Sequence, residues 1–187
     1  GNTYHGATVV YDGAVLTVES SLGNTSLVTV AEGGRLVNVS DSTKAGAVNV
    51  AGRLDLQAGS KLSLKEGGES SITGSITGSG NLALLSNASV VVTAGSGYEA
   101  FTGSVTMEEG AEYALSASNG STVIVRNNFA DSKNSAGGTV RFDKASGSSS
   151  ANYSLAGSAV GFTGTFELGD NVVVSANSIE AIGGKGS

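Results

Sequence analysis

Cysteine, proline and tryptophan are absent from these 187 residues, and histidine and methionine occur once each. Without cysteine there is no disulfide scaffold, no thiolate metal site and no thiol nucleophile. Without tryptophan the strongest stacking platform is missing. Without proline every backbone N–H is free to join a hydrogen-bonded ladder. Charge is sparse as well: Asp, Glu, Lys and Arg make up 14% of the chain, with a formal net charge of −6 and a pI near 4.7. That balance argues against a nucleic-acid partner, whose phosphates require Lys and Arg. No apolar stretch approaches the ~18 residues of a membrane span, and no signal peptide is recognisable. The chain opens Gly1-Asn2-Thr3-Tyr4 without a Met, so it reads as a segment of something longer.

What is abundant is small and apolar. Gly and Ser each occur 29 times, 58 of 187 positions, yet 39% of the chain is hydrophobic, which supports a folded core rather than disorder. The apolar residues alternate with polar ones in short runs such as Val28-Thr29-Val30, Val48-Asn49-Val50, Leu62-Ser63-Leu64, Leu82-Ala83-Leu84 and Val140-Arg141-Phe142. Period two marks strands with one buried face. About 19 such runs lie between Val9 and Ile179, with Gly-rich turns between them and no amphipathic helix. A sandwich or a solenoid fits that spacing. Three features favour the solenoid: runs of only about three residues, recurrence of a Gly-x-x-apolar-x-apolar unit as in Gly59 to Leu64 and Gly110 to Leu115, and only two Asp-Gly or Asn-Gly hairpin pairs (Asp12-Gly13 and Asn119-Gly120). The expectation is an all-β parallel solenoid of about nine turns at ~20 residues each, on the order of 40 Å long. One segment spans residues 1–187, with loop insertions expected near 126–138 and 143–151.

Three stretches repeat one another. Asn2-Thr3-Tyr4-His5-Gly6-Ala7-Thr8-Val9-Val10 continues through Gly13 to Val18; Phe101-Thr102-Gly103-Ser104-Val105 continues through Gly110 to Leu115; Phe162-Thr163-Gly164-Thr165-Phe166 opens a third copy that lacks the second Gly. This pattern resembles the passenger-associated transport repeat of bacterial autotransporters, with His5 standing where Thr is usual. Tyr4, Gly6, Gly13, Phe101, Gly103, Gly110, Phe162 and Gly164 carry the resemblance, which directly covers about a quarter of the chain. It implies an all-β, right-handed parallel β-helix, export across the outer membrane of a Gram-negative cell by type V secretion, and display on the surface or release. It also implies a C-terminal membrane barrel, for which nothing after Asn177 has the strands, so membrane contact would come only through that missing barrel. A role as the β-helical stem and folding template of an adhesin follows, with self-association or attachment to a host glycan or protein as the contact functions.

Few residues offer chemistry against this background. His5 is the one histidine available to a Ser-His-Asp triad, and as a turn variant of Thr102 and Thr163 it reads better as structural. Asp12, Asp41, Asp55, Asp131, Asp143 and Asp170 are scattered, and Glu108-Glu109 before Gly110 reads as a solvated corner, so neither a glycosidase pair nor a calcium-bound lyase centre is evident. The chain is therefore expected not to be an enzyme, with no catalytic residue, metal or cofactor. The alternative is a polysaccharide-degrading or carbohydrate-binding β-helix, and the latter would need Tyr98, Tyr113 and Tyr153 to line a groove. For self-association the candidate flank is Thr8, Thr17, Thr29, Asn38, Asn49, Ser63, Thr106 and Thr122, expected to form outward polar rows able to pair with a second coil.

Overall fold

The computed structural model describes residues 4–95, 97–120, 122–133 and 135–183. Asn2 and Thr3, the first two residues of the opening motif, lie outside them. Within the described residues twenty strands follow one another. The first seven are β1 (Thr8–Val10), β2 (Val15–Val18), β3 (Leu27–Val30), β4 (Arg35–Asn38), β5 (Thr43–Ala45), β6 (Ala47–Val50) and β7 (Arg53–Leu56). Then come β8 (Lys61–Leu64), β9 (Glu69–Ile72), β10 (Ser75–Gly78), β11 (Asn81–Leu84), β12 (Ser89–Ala94), β13 (Ser104–Met107) and β14 (Glu112–Ala117). The last are β15 (Val123–Val125), β16 (Asn128–Asp131), β17 (Thr139–Lys144), β18 (Ala151–Leu155), β19 (Thr165–Leu168) and β20 (Val172–Ala176). Helix is confined to two short 3-10 turns, Tyr98–Ala100 and Ile179–Ile182.

Every strand pairing is parallel. The chain coils as a right-handed parallel β-helix of eight turns. Sheet A takes one strand from each turn, in the order β1-β3-β6-β9-β12-β14-β17-β19. Sheet B (β2, β4, β7, β10) and sheet C (β5, β8, β11, β13, β16) form the other two walls. At the fifth turn the 3-10 turn Tyr98–Ala100 replaces a strand of the B wall, between β10 and β15. A three-stranded sheet D (β15, β18, β20) follows it. Seven steps at ~4.8 Å make sheet A roughly 34 Å long.

The turns are not equal. Val28 lies opposite Val48, 20 residues on, but Tyr113 opposite Val140 and Val140 opposite Phe166 are steps of 27 and 26. This is why eight turns, and not nine, use the described chain. The longer coils surround a wider core. In the early turns sheet A buries Val28, Val30, Val48 and Val50; in the later ones the same two inward columns hold Tyr113, Leu115, Val140 and Phe142. Phe129, Phe142, Phe162 and Phe166 pack there with ring centroids 5.4–6.4 Å apart. Parallel stacking makes this arrangement: each column repeats one side chain per turn, and burying each Val, Leu or Phe contributes ~1.5–3 kcal/mol.

The two expected loop insertions are narrower than the polar composition suggested. β16 occupies Asn128–Asp131 inside the first, because Phe129 faces the core although its neighbours are polar, and only residues 145–150 of the second lie between strands.

Candidate functional site: corner motifs and outer faces

The three motif copies share one geometry. In each, an aromatic ring lies over a glycine two residues later. A Cβ built on Gly6 would stand 3.0 Å from the Tyr4 ring, on Gly103 2.9 Å from the Phe101 ring, and on Gly164 2.4 Å from the Phe162 ring. Gly103 and Gly164 also touch the coil below, since that Cβ would lie 1.8 Å from the Gly80 carbonyl oxygen at Gly103 and 2.1 Å from that of Gly138 at Gly164. Seven residues after each of these glycines the chain turns through the left-handed region. Gly13 (φ 70°) and Gly110 (φ 74°) do so in the first two copies, and Asn171 (φ 58°) does so in the third. Asn is the residue that best tolerates that conformation after Gly, so the third copy keeps the turn with different chemistry. Phe101 is fully buried, Phe162 nearly so, and Tyr4 remains exposed at the first turn.

The eight residues expected to form one polar flank lie on different walls. Thr29 and Asn49 are on the outer face of sheet A, where the Ser71 hydroxyl donates to Asn49 Oδ1 at 3.2 Å. Thr17 is on sheet B, Thr106 on sheet C, where its hydroxyl donates to Asn81 Oδ1 at 3.2 Å, and Thr122 precedes β15. Thr8 stands opposite Val28 in an inward column, with its Oγ1 3.2 Å from that of Thr25. Thr8 is therefore not on an outer row, and two further expectations are corrected. Asn38 is 1% exposed, because it shares a face with Leu36; it accepts from Thr43 Oγ1 at 2.7 Å and donates to the Ser40 carbonyl at 3.1 Å, closing a polar pair inside the coil. Ser63 points outward in strand order yet is covered, between Lys44 and Ala83 of the adjoining coils.

The tyrosine groove of the carbohydrate-binding alternative is also corrected. Tyr98, Tyr113 and Tyr153 are all buried. The Tyr98 hydroxyl lies 2.6 Å from that of Tyr113 and donates to Asn127 Oδ1 at 2.8 Å, while Tyr153 donates to the Asp143 and Leu115 carbonyls at 2.6 and 3.0 Å. Burial pushes all three phenols well above the ordinary tyrosine range. They bridge the core at the point where sheet B gives way to the 3-10 turn and sheet D resumes.

Charged groups act mainly as staples between coils. Glu108, expected in a solvated corner, accepts from the backbone N–H and hydroxyl of Ser86 at 3.0 Å each and from the Ser132 hydroxyl at 3.4 Å, so it ties three successive turns. Asp55 is buried beneath Arg35 and Arg53 and accepts from Gln57 Nε2 at 3.0 Å. Arg141 pairs with Asp143 at 2.7 Å. His5 is exposed. Among the described residues no three His, Cys, Asp or Glu side chains converge as a metal site would require.

The outer face of sheet A is the longest uninterrupted surface. Its central row reads Val9, Thr29, Asn49, Ser71, Val91, Ala114, Arg141, Glu167, with Val91 49% exposed at its middle. No family model, curated protein or solved structure matches the chain.

Proposed function

We propose that this chain is a segment of an exported passenger of the autotransporter type, serving as the β-helical stem and folding template of a surface adhesin. The observation that supports it is the common geometry of the three motif copies: ring over glycine, then a left-handed residue seven positions on. In a parallel coil each turn offers the next a complete row of backbone donors and acceptors, so order propagates from a finished turn to the one that follows. A chain emerging through a membrane pore can fold in that manner without any distant contact, and the absence of cysteine leaves nothing to lock it beforehand.

In this reading the outer face of sheet A is the contact surface for a second copy or a host molecule. Eight turns at ~4.8 Å and about four residues at ~3.3 Å give roughly 500 Å² per copy, below the ~800 Å² of a standard stable interface. Single contacts of that size are weak and gain strength when many molecules on two surfaces engage together. Sedimentation equilibrium over rising concentration tests the pairing. A reversible dimer that Asn49→Arg with Val91→Arg abolishes is expected; a monomer throughout refutes this use of the face.

A further inference from the structure

The chain is acidic as a whole, but its basic residues are not evenly spread. Between Arg35 and Lys65 there are five of the ten Lys and Arg residues and two of the sixteen Asp and Glu residues, a local charge of +3 in a chain of −6. Arg35 and Arg53 are committed to Asp55 on sheet B. Lys44, Lys61 and Lys65 form no ion pair among the described residues.

Those three lysines surround one point on sheet C. Lys44 is the ladder partner of Ser63, one coil below it; Lys61 stands two positions before Ser63 on β8, on the same outward parity, and the half-buried Lys65 directly follows the strand. Ser63 and its neighbour above, Ala83, are small and only 6% and 4% exposed although they face outward. Neighbouring side chains therefore cover both, and what sheet C presents at its middle is a basic patch along the coil axis, with Lys44 and Lys61 exposed. Lys61 and its ladder partner Asn81 lie to one side of Ser63 and Ala83, and Lys65, just past the end of β8, to the other. Lys44 stands at the lower end of the patch and Thr106, held by Asn81, at its upper end. Asp41 and Glu66 lie in the corners beside it, at the edges of the wall and not on its strands.

We infer that this basic patch binds a linear acidic saccharide, one whose sugars bear carboxylates or sulfates. The lysine ammonium groups supply the charge complement, and the side-chain amide and hydroxyl of Asn81 and Thr106 supply the neutral hydrogen bonds that sugar hydroxyls need. Sugar residues recur along an extended chain at close to the coil's own rise of ~4.8 Å, so successive units can meet successive turns. Nucleic acid fits less well, because sheet C exposes no aromatic ring on which bases could stack. The site lies on sheet C and not on sheet A, so it and the dimer contact fail independently.

The test uses the full chain passed over immobilised sulfated dextran, with neutral dextran as reference. The wild type is expected to bind the sulfated matrix only, with affinity falling as salt rises. Lys44→Glu, Lys61→Glu and Lys65→Glu together are expected to weaken binding by roughly tenfold or more, since each lysine meets an anion at an exposed site. Lys133→Glu with Lys144→Glu, also charge-reversing but on other coils, should retain it; circular dichroism confirms that both variants fold. The inference is overturned if the wild type does not bind, if the triple variant binds as well as wild type, or if the control variant loses as much. It is equally overturned if vesicles of anionic lipid or a second copy of the chain bind the patch in preference to the sulfated sugar.

Discussion

Replacing Gly103 by Ala probes the contact on which coil stacking rests. The added Cβ would lie 1.8 Å from the Gly80 carbonyl oxygen and 2.9 Å from the Phe101 ring. Contacts below 3.0 Å do not occur for real Cβ atoms, so the fourth and fifth turns would have to part by more than an ångström at this corner. Two ladder bonds cross there, Thr102 N–H to the Gly78 carbonyl at 2.9 Å and Ser104 N–H to the Gly80 carbonyl at 3.1 Å. Weakening both costs about 1–3 kcal/mol, and crowding a packed interior adds about 1–3 kcal/mol. The sum is on the order of 4 kcal/mol, a large part of a typical 5–15 kcal/mol stability. At ~2–4 °C per kcal/mol for a chain of this size, the melting midpoint should fall by on the order of 10 °C. Gly13→Ala is the control. Gly13 has φ 70° but open space around its Cα, so Ala there meets only the conformational term of about 1–2 kcal/mol. Both are read by thermal unfolding followed in the far-ultraviolet circular dichroism. If Gly103→Ala melts within ~2 °C of Gly13→Ala, the close approach of coils at this corner is not what the glycine serves.

Three further outcomes follow from the same contacts. Asn171→Gly should leave stability unchanged or raise it by up to about 1 kcal/mol, whereas Asn171→Val should lower it by about 2 kcal/mol, since a branched side chain resists φ 58°; urea titration compares the pair. Tyr98→Phe removes the donor to Asn127 Oδ1 and should cost about 1–3 kcal/mol by the same titration. Alkali should unfold the chain. Tyr98 and Tyr113 hold their protons more tightly when folded than when unfolded, so their contribution is fully present below pH ~10 and is lost as pH climbs past it, at about 1.4 kcal/mol per unit for each. Phenolate absorbance and circular dichroism should then change together above pH ~10 for these residues; ionisation of the buried pair with the fold intact would contradict their place in the core.

Much of the coil is legible in the linear order of residues, because a strand buried on one side must alternate. Val28-Thr29-Val30 and Leu82-Ala83-Leu84 place their apolar pair inward as that rule requires. The rule misleads where both parities look apolar. In Leu36-Val37-Asn38-Val39 the inward face belongs to Leu36 and Asn38, and Val39 is left 41% exposed, because the coil satisfies Asn38 internally through Thr43 and Ser40. Ser63 fails for a different reason. Its direction is correct, but what covers it stands 19 residues earlier and 20 later, a neighbourhood set by coil length and not by adjacency. The tyrosines failed because a phenol suits a sugar groove or a core with equal ease, and only the hydroxyl partners tell them apart. Coil length itself was underestimated at the C-terminal end, where aromatic residues widen the core. The motif glycines were recognisable, but the ring lying over each one, and Asn171 standing in for the third turn glycine, require three dimensions.

The proposed role is tested most directly on living cells. An epitope placed in the 145–150 loop between β17 and β18, in the protein expressed in its native cell, reports where the coil resides. A surface-displayed stem predicts that protease added to intact cells removes the epitope, or that it is found in the medium. An epitope protected until the cells are broken open would contradict the account.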